Sequence, residues 1–291
     1  MNKELISKEF RNIQNSICSY ITDMCSQQFK EDIWNYSRGK GGGITRIFSN
    51  GVIEKGGVNF SSLSGKMSEK ISTKMVGKGS NFFATGVSLV MHPQNPYIPS
   101  VHMNIRYIER GDKVWFGGGI DLTPYYIDKY QVINYHKNLK VICDKHSCAS
   151  YKEFKEACDE YFYIKHRKET RGVGGVFFDY MQGDLNEIFD FVKDLGNEFN
   201  NLYDPFLKKN SNKKFDEIKK DFQHYRRSRY AEFNLVYDRG TLFGLETNGR
   251  IESILMSMPP QCSWKYNWHP SENSEEAEIY KYLKPIDWIK L

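Results

Sequence analysis

The chain has 291 residues, a formal net charge of +5, and a composition that is 40% hydrophobic and 15% aromatic. A chain of this length buries roughly 75% of the surface that it exposes when unfolded, so stability requires no disulfide or metal staple. The mild charge suits an anionic ligand as well as it suits nucleic acid.

The six cysteines, at 18, 25, 143, 148, 158 and 262, form no Cys-x-x-Cys pair. Their spacing matches neither a zinc site nor an iron–sulfur run. Scattered reduced thiols suggest a cytoplasmic setting. The opening MNKELISKEF lacks the apolar run of a signal peptide. No stretch approaches 18 apolar residues, so no membrane span is expected.

In chain order, Phe10, Ile13, Ile17, Ile21 and Met24 recur every three or four residues and predict a helix over 5–34. The glycine-rich stretch that follows, up to about residue 60, predicts strand pieces and loops. Strands are expected at 82–92 and 98–109 by alternation. Helical patterns return at 129–143 and 151–165, the second with Ser150 and Glu153 as a capping box. GGVFFDYM predicts a strand, and Asp184 with Glu187 caps the helix after it. Residues 208–220 are polar and expected to be exposed. In the last third, YAEFNLVYD, TLFGLET and RIESILMSM predict consecutive strands, with Asn248-Gly249 as a hairpin turn. These elements imply one α+β domain over residues 1–291, an antiparallel sheet with helices on its faces.

Candidate chemistry concentrates on two predicted strands. In SVHMNIRYIE, alternation puts His102, Asn104 and Arg106 on one face and Val101, Met103, Ile105 and Tyr107 on the other. The apolar set is the expected core. The polar set can hold a carboxylate and deliver a proton, or it is a solvated sheet face. GVSLVMHP likewise puts Gly86, Ser88, Val90 and His92 on one face, in the same pocket if the strands pair. His92, His102, His136 and His166 are candidate ligands of a divalent ion, although their spacing is irregular and matches no metal motif.

KVWFGGGIDLTPYY carries three consecutive glycines, Gly117 to Gly119, with no following Gly-Lys-Ser/Thr, which excludes a P-loop. Beside Trp115 and Phe116 they could shape a flat cavity with Asp121 at its edge, or form a bulge and tight turn at a sheet edge. HRKETRGVGG and HYRRSRY supply His166, Arg171, Arg226, Arg227 and Arg229, with Arg239 and Arg250 at further turns. Interleaved basic and aromatic residues can hold phosphates or a polycarboxylate. No recognised nucleic-acid module accompanies them. A metal-dependent oxygenase with these histidines and a non-enzymatic polyanion-binding protein are the rival readings.

FFATGVSLVMHPQNP, VHMNIRY, WFGGGIDLTPYY, HRKETRGVGGVFFD, RRSRYAEFNLVYDRGT and GRIESILMSMPP occur in this order. Together they closely resemble the oxygen-dependent coproporphyrinogen-III oxidase family, over nearly the whole chain from about residue 30. The resemblance implies a three-layer α+β fold, a large antiparallel sheet with helices on both faces. It implies oxidative decarboxylation of two propionates of coproporphyrinogen III to vinyl groups, giving protoporphyrinogen IX in haem biosynthesis. O2 is the co-substrate, with no flavin, haem or nicotinamide.

It further implies a homodimer joined through about residues 230–265. His102 matches the family's proton donor. Ser88, Asn104, Ile105, Arg106, Asn248, Gly249 and Arg250 match substrate-binding positions, although asparagine at 248 replaces a more usual small residue. Asp121 matches an aspartate that grips pyrrole N–H groups. Arg171, Asp238 and Arg239 match charged residues of binding or structural role. His92, His102, His136 and His166 match ligands of a divalent metal, with Mn2+ as candidate ion. A metal-bound His102 could not also donate a proton from the same nitrogen, so its two roles are alternatives.

Overall fold

The computed structural model describes residues 1–67, 76–246 and 249–291. Helix α1 (Lys3–Cys25) starts at Asn2, whose side chain accepts from the Glu4 and Leu5 N–H groups. It buries Ile6, Phe10, Ile13, Ile17 and Ile21. The predicted helix to residue 34 is too long. Ser26 takes the left-handed conformation (φ 49°) and ends it. The next residues form an edge strand, β1 (Phe29–Asn35). Serine in place of the usual glycine at this cap hides the break.

A seven-stranded antiparallel sheet follows, built from β1, β2 (Gly39–Ser49), β3 (Ile53–Lys66), β4 (Asn81–Pro93), β5 (Ser100–Arg110), β6 (Lys113–Thr123) and β9 (Gly174–Met181). Its spatial order is β1-β2-β3-β4-β5-β6-β9. Between β6 and β9 the chain makes α2 (Lys129–Asp144), α3 (Tyr151–Tyr161) and a small hairpin, β7 (Tyr163–Ile164) with β8 (Glu169–Thr170). Ser150 caps α3 as expected by accepting from the Glu153 N–H, but the helix stops at Tyr161 because the hairpin begins there. Asp184 caps α4 (Leu185–Asn197) by accepting from the Asn186 and Glu187 N–H groups, and α5 (Phe199–Asn210) follows.

The strands expected in the last third are helices. They are α6 (Glu217–Val236), α7 (Arg239–Glu246), α8 (Ile251–Leu255) and the short α9 (Glu275–Glu278). The buried residues of α6 include Phe222, Arg226, Arg229, Tyr230 and Phe233 at helical spacing. Arginines occupy part of the buried face, so the apolar periodicity is masked and the aromatic residues read as a strand. Asn248 lies outside the described residues. Gly249 donates its N–H to the Gly244 carbonyl at 2.8 Å, between two helices rather than in a hairpin. The 208–220 stretch is largely exposed as expected, with Asn210 its one buried residue.

One sheet face packs Val87, Leu89, Met103, Ile105, Phe116 and Ile120 against α1, α2, α4 and α5. Helices α6 to α8 cover the other face, which gives the three-layer α+β arrangement. The alternation in β5 is realised, with Val101, Met103, Ile105 and Tyr107 at most 1% exposed in the core. No helix among the described residues is long and apolar enough to cross a membrane.

Candidate active site

Antiparallel register assembles the polar face. Ser88 lies opposite Asn104 and Asn104 opposite Gly119. Gly86 lies opposite Arg106 and Arg106 opposite Gly117, while His102 faces Asp121. Of these residues, Ser88, His102, Asn104, Arg106 and Gly119 form the floor of a cavity of about 910 Å³, counting its open mouth. The walls and roof come from Tyr161, Arg171 and Phe177, from Tyr230 and Asn234 of α6, and from Ser253, Ile254, Met256 and Ser257 around α8. A second groove of about 500 Å³ continues across β3, β4 and β5 and shares Asn59, Ser88, Asn104 and Arg106.

The three glycines lie within an internal strand, not in a turn at the sheet edge. A Cβ on Gly119 would stand 2.5 Å from the Val176 carbonyl, and one on Gly117 2.6 Å from Asp179 Oδ1. Hydrogen at these positions lets the polar groups lie flat on the floor. Trp115 and Phe116 do not border the cavity. Trp115 packs on Tyr180, and Phe116 lies in the core against Phe189 and Tyr107. The aromatic walls are Tyr161 and Phe177, stacked at 4.3 Å, with Tyr230 beside them.

Asp121 is 2% exposed and lies behind the cavity wall. Both of its oxygens accept from Arg171 Nη2, at 3.0 and 2.8 Å, and Oδ1 also pairs with His102 Nδ1 at 2.9 Å. Burial by itself would raise its pKa. The Arg171 guanidinium and the His102 hydrogen bond outweigh burial and hold the carboxyl below the ordinary value. An ionised Asp121 requires N–H at His102 Nδ1, which leaves His102 Nε2 as the nitrogen free for chemistry. Asp121 does not line the cavity, and Arg171 and His102 hold its two oxygens, so this structure does not aim it at a ligand for the direct grip that the resemblance implies. Arg171 in turn donates to Asn234 at 2.8 Å and lies over the rings of Phe162 and Tyr230, 4.1 and 4.4 Å from their centres. These contacts fix the whole chain of groups.

The four histidines expected around an ion do not meet. His92 Nε2 donates to the Ser257 carbonyl at 2.9 Å and Nδ1 pairs with Ser100 Oγ at 2.8 Å. His136 Nε2 donates to the Val173 carbonyl at 3.1 Å and Nδ1 accepts from the Tyr151 hydroxyl at 2.9 Å. His166 bonds Tyr237 and Glu232, each at 2.7 Å. A nitrogen that donates to a carbonyl has no lone pair for a metal, and the other nitrogen is also taken. Burial, reinforced by nearby cations, pushes His92 far down and His136 to about 3, so both are neutral structural imidazoles. Among the described residues no group of three or more metal-type ligands forms. Only His102 of the four lines the cavity.

The remaining predicted residues divide. Ser88, Asn104, Arg106, Arg171 and Asp238 line the cavity. Ile105 turns its side chain to the core, where its Cδ1 abuts Gly196. Arg250 pairs with Asp32 on the edge strand, and Arg239 stands at the rim, 58% exposed. Asp238 accepts from Tyr161 at 2.8 Å and from the Thr241 N–H at 2.7 Å. Sequence reasoning missed Asn59, Tyr161, Phe177, Asp179, Tyr230 and Asn234. Period-two reading of GGVFFDYM would have put Phe177 and Asp179 on the cavity face. Nothing local marks Tyr230 and Asn234, which required α6 to be read as a helix.

Fold and site together fit an α+β enzyme with a cavity on a sheet face roofed by helices. In the cavity one histidine, His102, is backed by the buried carboxylate of Asp121. More narrowly, the chain belongs to the coproporphyrinogen III oxidase family, whose model matches residues 5–288. It is similar to an oxygen-dependent coproporphyrinogen-III oxidase of Dictyostelium discoideum, 45% identical over 99% of this chain and 95% of that protein. Proteins of the same name from Francisella tularensis subsp. novicida and Francisella philomiragia are 50% and 46% identical, over 86% and 96% of this chain and 84% and 96% of their own lengths.

Proposed function

We propose that this chain catalyses the oxygen-dependent conversion of the ring A and ring B propionates of coproporphyrinogen III to vinyl groups, giving protoporphyrinogen IX. The observation that carries this reading is the His102–Asp121–Arg171 chain beneath an open cavity lined by arginines and aromatic rings, in a chain matched to the family from residue 5 to 288. Each turnover balances as one propionic acid group and one O2 yielding one vinyl group, CO2 and H2O2. The substrate loses two electrons and O2 gains them.

The residues divide this work. Glycines and aromatic rings leave space for the apolar macrocycle. Arg106 and Arg239 meet carboxylates at its rim, and Ser88 and Asn104 hold it along the floor. Protonated His102 gives its Nε2 proton to the reduced oxygen, while ionised Asp121 stabilises the imidazolium and fixes its tautomer. Asp121 thus acts through His102. Holding the reacting propionate in place lowers the barrier further.

The working unit is a homodimer joined through residues 230–265 of a single domain. Leu235, Val236, Leu242, Phe243 and Ile251 support this assignment, since each is more than a third exposed on neighbouring helices. The six free cysteines fit a cytoplasmic location.

The test is turnover of coproporphyrinogen III with and without oxygen, by metal-stripped protein, with and without Mn2+. Protoporphyrinogen IX formed only with oxygen is the expected result. Folded protein that makes no product under any of these conditions refutes the proposed reaction.

A further inference from the structure

One carboxylate beside the cavity has no part in the reading above. Asp179 lies on β9, whose pairing with β6 is irregular. Gly118 pairs with Phe178, but Phe116 pairs with Met181, so Asp179 and Tyr180 share the place opposite Gly117. This is a β-bulge, a device that re-aims side chains near functional sites. Tyr180 takes φ 54°, unusual for a residue with a side chain, and its N–H donates to Asp179 Oδ1 at 3.0 Å.

The bulge aims Asp179 at two arginines from other elements. Oδ1 lies 2.9 Å from Arg106 Nη2, and Oδ2 lies 3.7 Å from Arg239 Nη2. Arg106 Nη1 also donates to Asn104 at 3.3 Å. The guanidinium lies flat over Gly117, where a Cβ would come within 3.1 Å of its Nε and Nη2. Asp179 therefore ion-pairs with Arg106 at Nη2, and Asn104 accepts from its Nη1. The other N–H groups remain for a ligand, and Arg106 borders both the cavity and the second groove.

We infer that Asp179 is a positioning residue that holds Arg106 flat and aimed, and shares its charge with Arg239, so that a substrate carboxylate meets a pre-oriented guanidinium. This rests on the function proposed above. Its signature is a divergence between binding and turnover. Removing the Asp179 charge leaves two less compensated cations for a tetracarboxylate, so binding tightens. It also frees the guanidinium from its fixed orientation, so turnover falls.

The experiment compares Asp179→Asn and Asp179→Glu with wild type. Steady-state kinetics reads kcat and KM, and fluorescence titration with oxidised coproporphyrin III reads affinity without turnover. For Asp179→Asn the expected result is a kcat lower by about 10- to 100-fold. Probe affinity should be unchanged or higher by about twofold to fivefold. Asp179→Glu should recover part of kcat. Should Asp179→Asn fail to fold, Gly117→Ala displaces the same pair sterically and should show the same kcat loss. Wild-type kcat in either folded variant, or weaker probe binding by Asp179→Asn, overturns the inference. Absence of turnover by wild type would instead refute the proposed reaction, and the probe titration would still decide whether Asp179 tunes carboxylate binding.

Discussion

His102 and Asp121 face each other across β5 and β6, with Nδ1 2.9 Å from Oδ1, and Arg171 closes the carboxylate from behind. The imidazole therefore has one nitrogen committed to the protein and one turned to the cavity. His102→Gln removes the proton carrier while keeping a polar side chain at a partly exposed position. Its kcat should fall by about 10²- to 10⁴-fold with little change in melting temperature. Single-turnover assays with thermal melts check this.

Asp121→Asn should behave differently. It leaves Arg171 charged and buried without its anion, so the fold should lose about 3–5 kcal/mol. Turnover should fall as well, because the amide no longer fixes the His102 tautomer or stabilises its charged form. Denaturant unfolding and activity at matched folded fractions separate the two losses. Wild-type turnover by this variant would remove Asp121 from the mechanism.

Acid should destabilise the protein in two stages. His136 is buried and neutral, with its pKa lowered from 6.5 to about 3 by burial and by Lys155. The unfolded chain binds that proton first, so stability falls as pH drops from 6.5 toward 3. Glu232 is depressed from 4.5 to about 2: burial opposes this, but hydrogen bonds from Arg167, Trp264 and His166 prevail. Its contribution is complete above pH 4.5 and is lost as pH falls toward 2. Melting curves against pH should show both slopes, and Glu232→Gln should make the lower one shallower, with Asp121 and Glu54, also held below the ordinary carboxylate value, sustaining the rest.

Adding Mn2+ to the metal-stripped protein should change the rate by less than about twofold, because His92, His136 and His166 are each bonded through both ring nitrogens. A strong, saturable activation that disappears in His136→Gln would restore the histidine ion site.

If the proposed dimer forms through 230–265, Phe243→Asp should give a monomer in sedimentation velocity. Phe243 is 38% exposed, so the monomer should keep its far-ultraviolet dichroism. Monomeric wild type at micromolar concentration would dismiss the interface at 230–265.

Strand alternation by itself determined the chemistry-bearing face. Once 98–109 is a strand, His102, Asn104 and Arg106 must share one side, because successive side chains point to opposite faces. The caps at Ser150 and Asp184 were legible for a similar reason, since their hydrogen bonds are local. Tertiary structure alone decided what those side chains meet. Asp121 reads as a residue open to a ligand until Arg171, 50 positions later, closes over it. Four histidines read as one ion site until each finds its own carbonyl, hydroxyl or carboxylate. The end of helix α6, from Tyr230, reads as a strand because the helical face before it is carried by arginines buried by partners distant in the chain, among them Glu54 and Glu169. Local pattern carries backbone periodicity, whereas burial and charge pairing depend on contacts between distant segments, which form only when the chain folds.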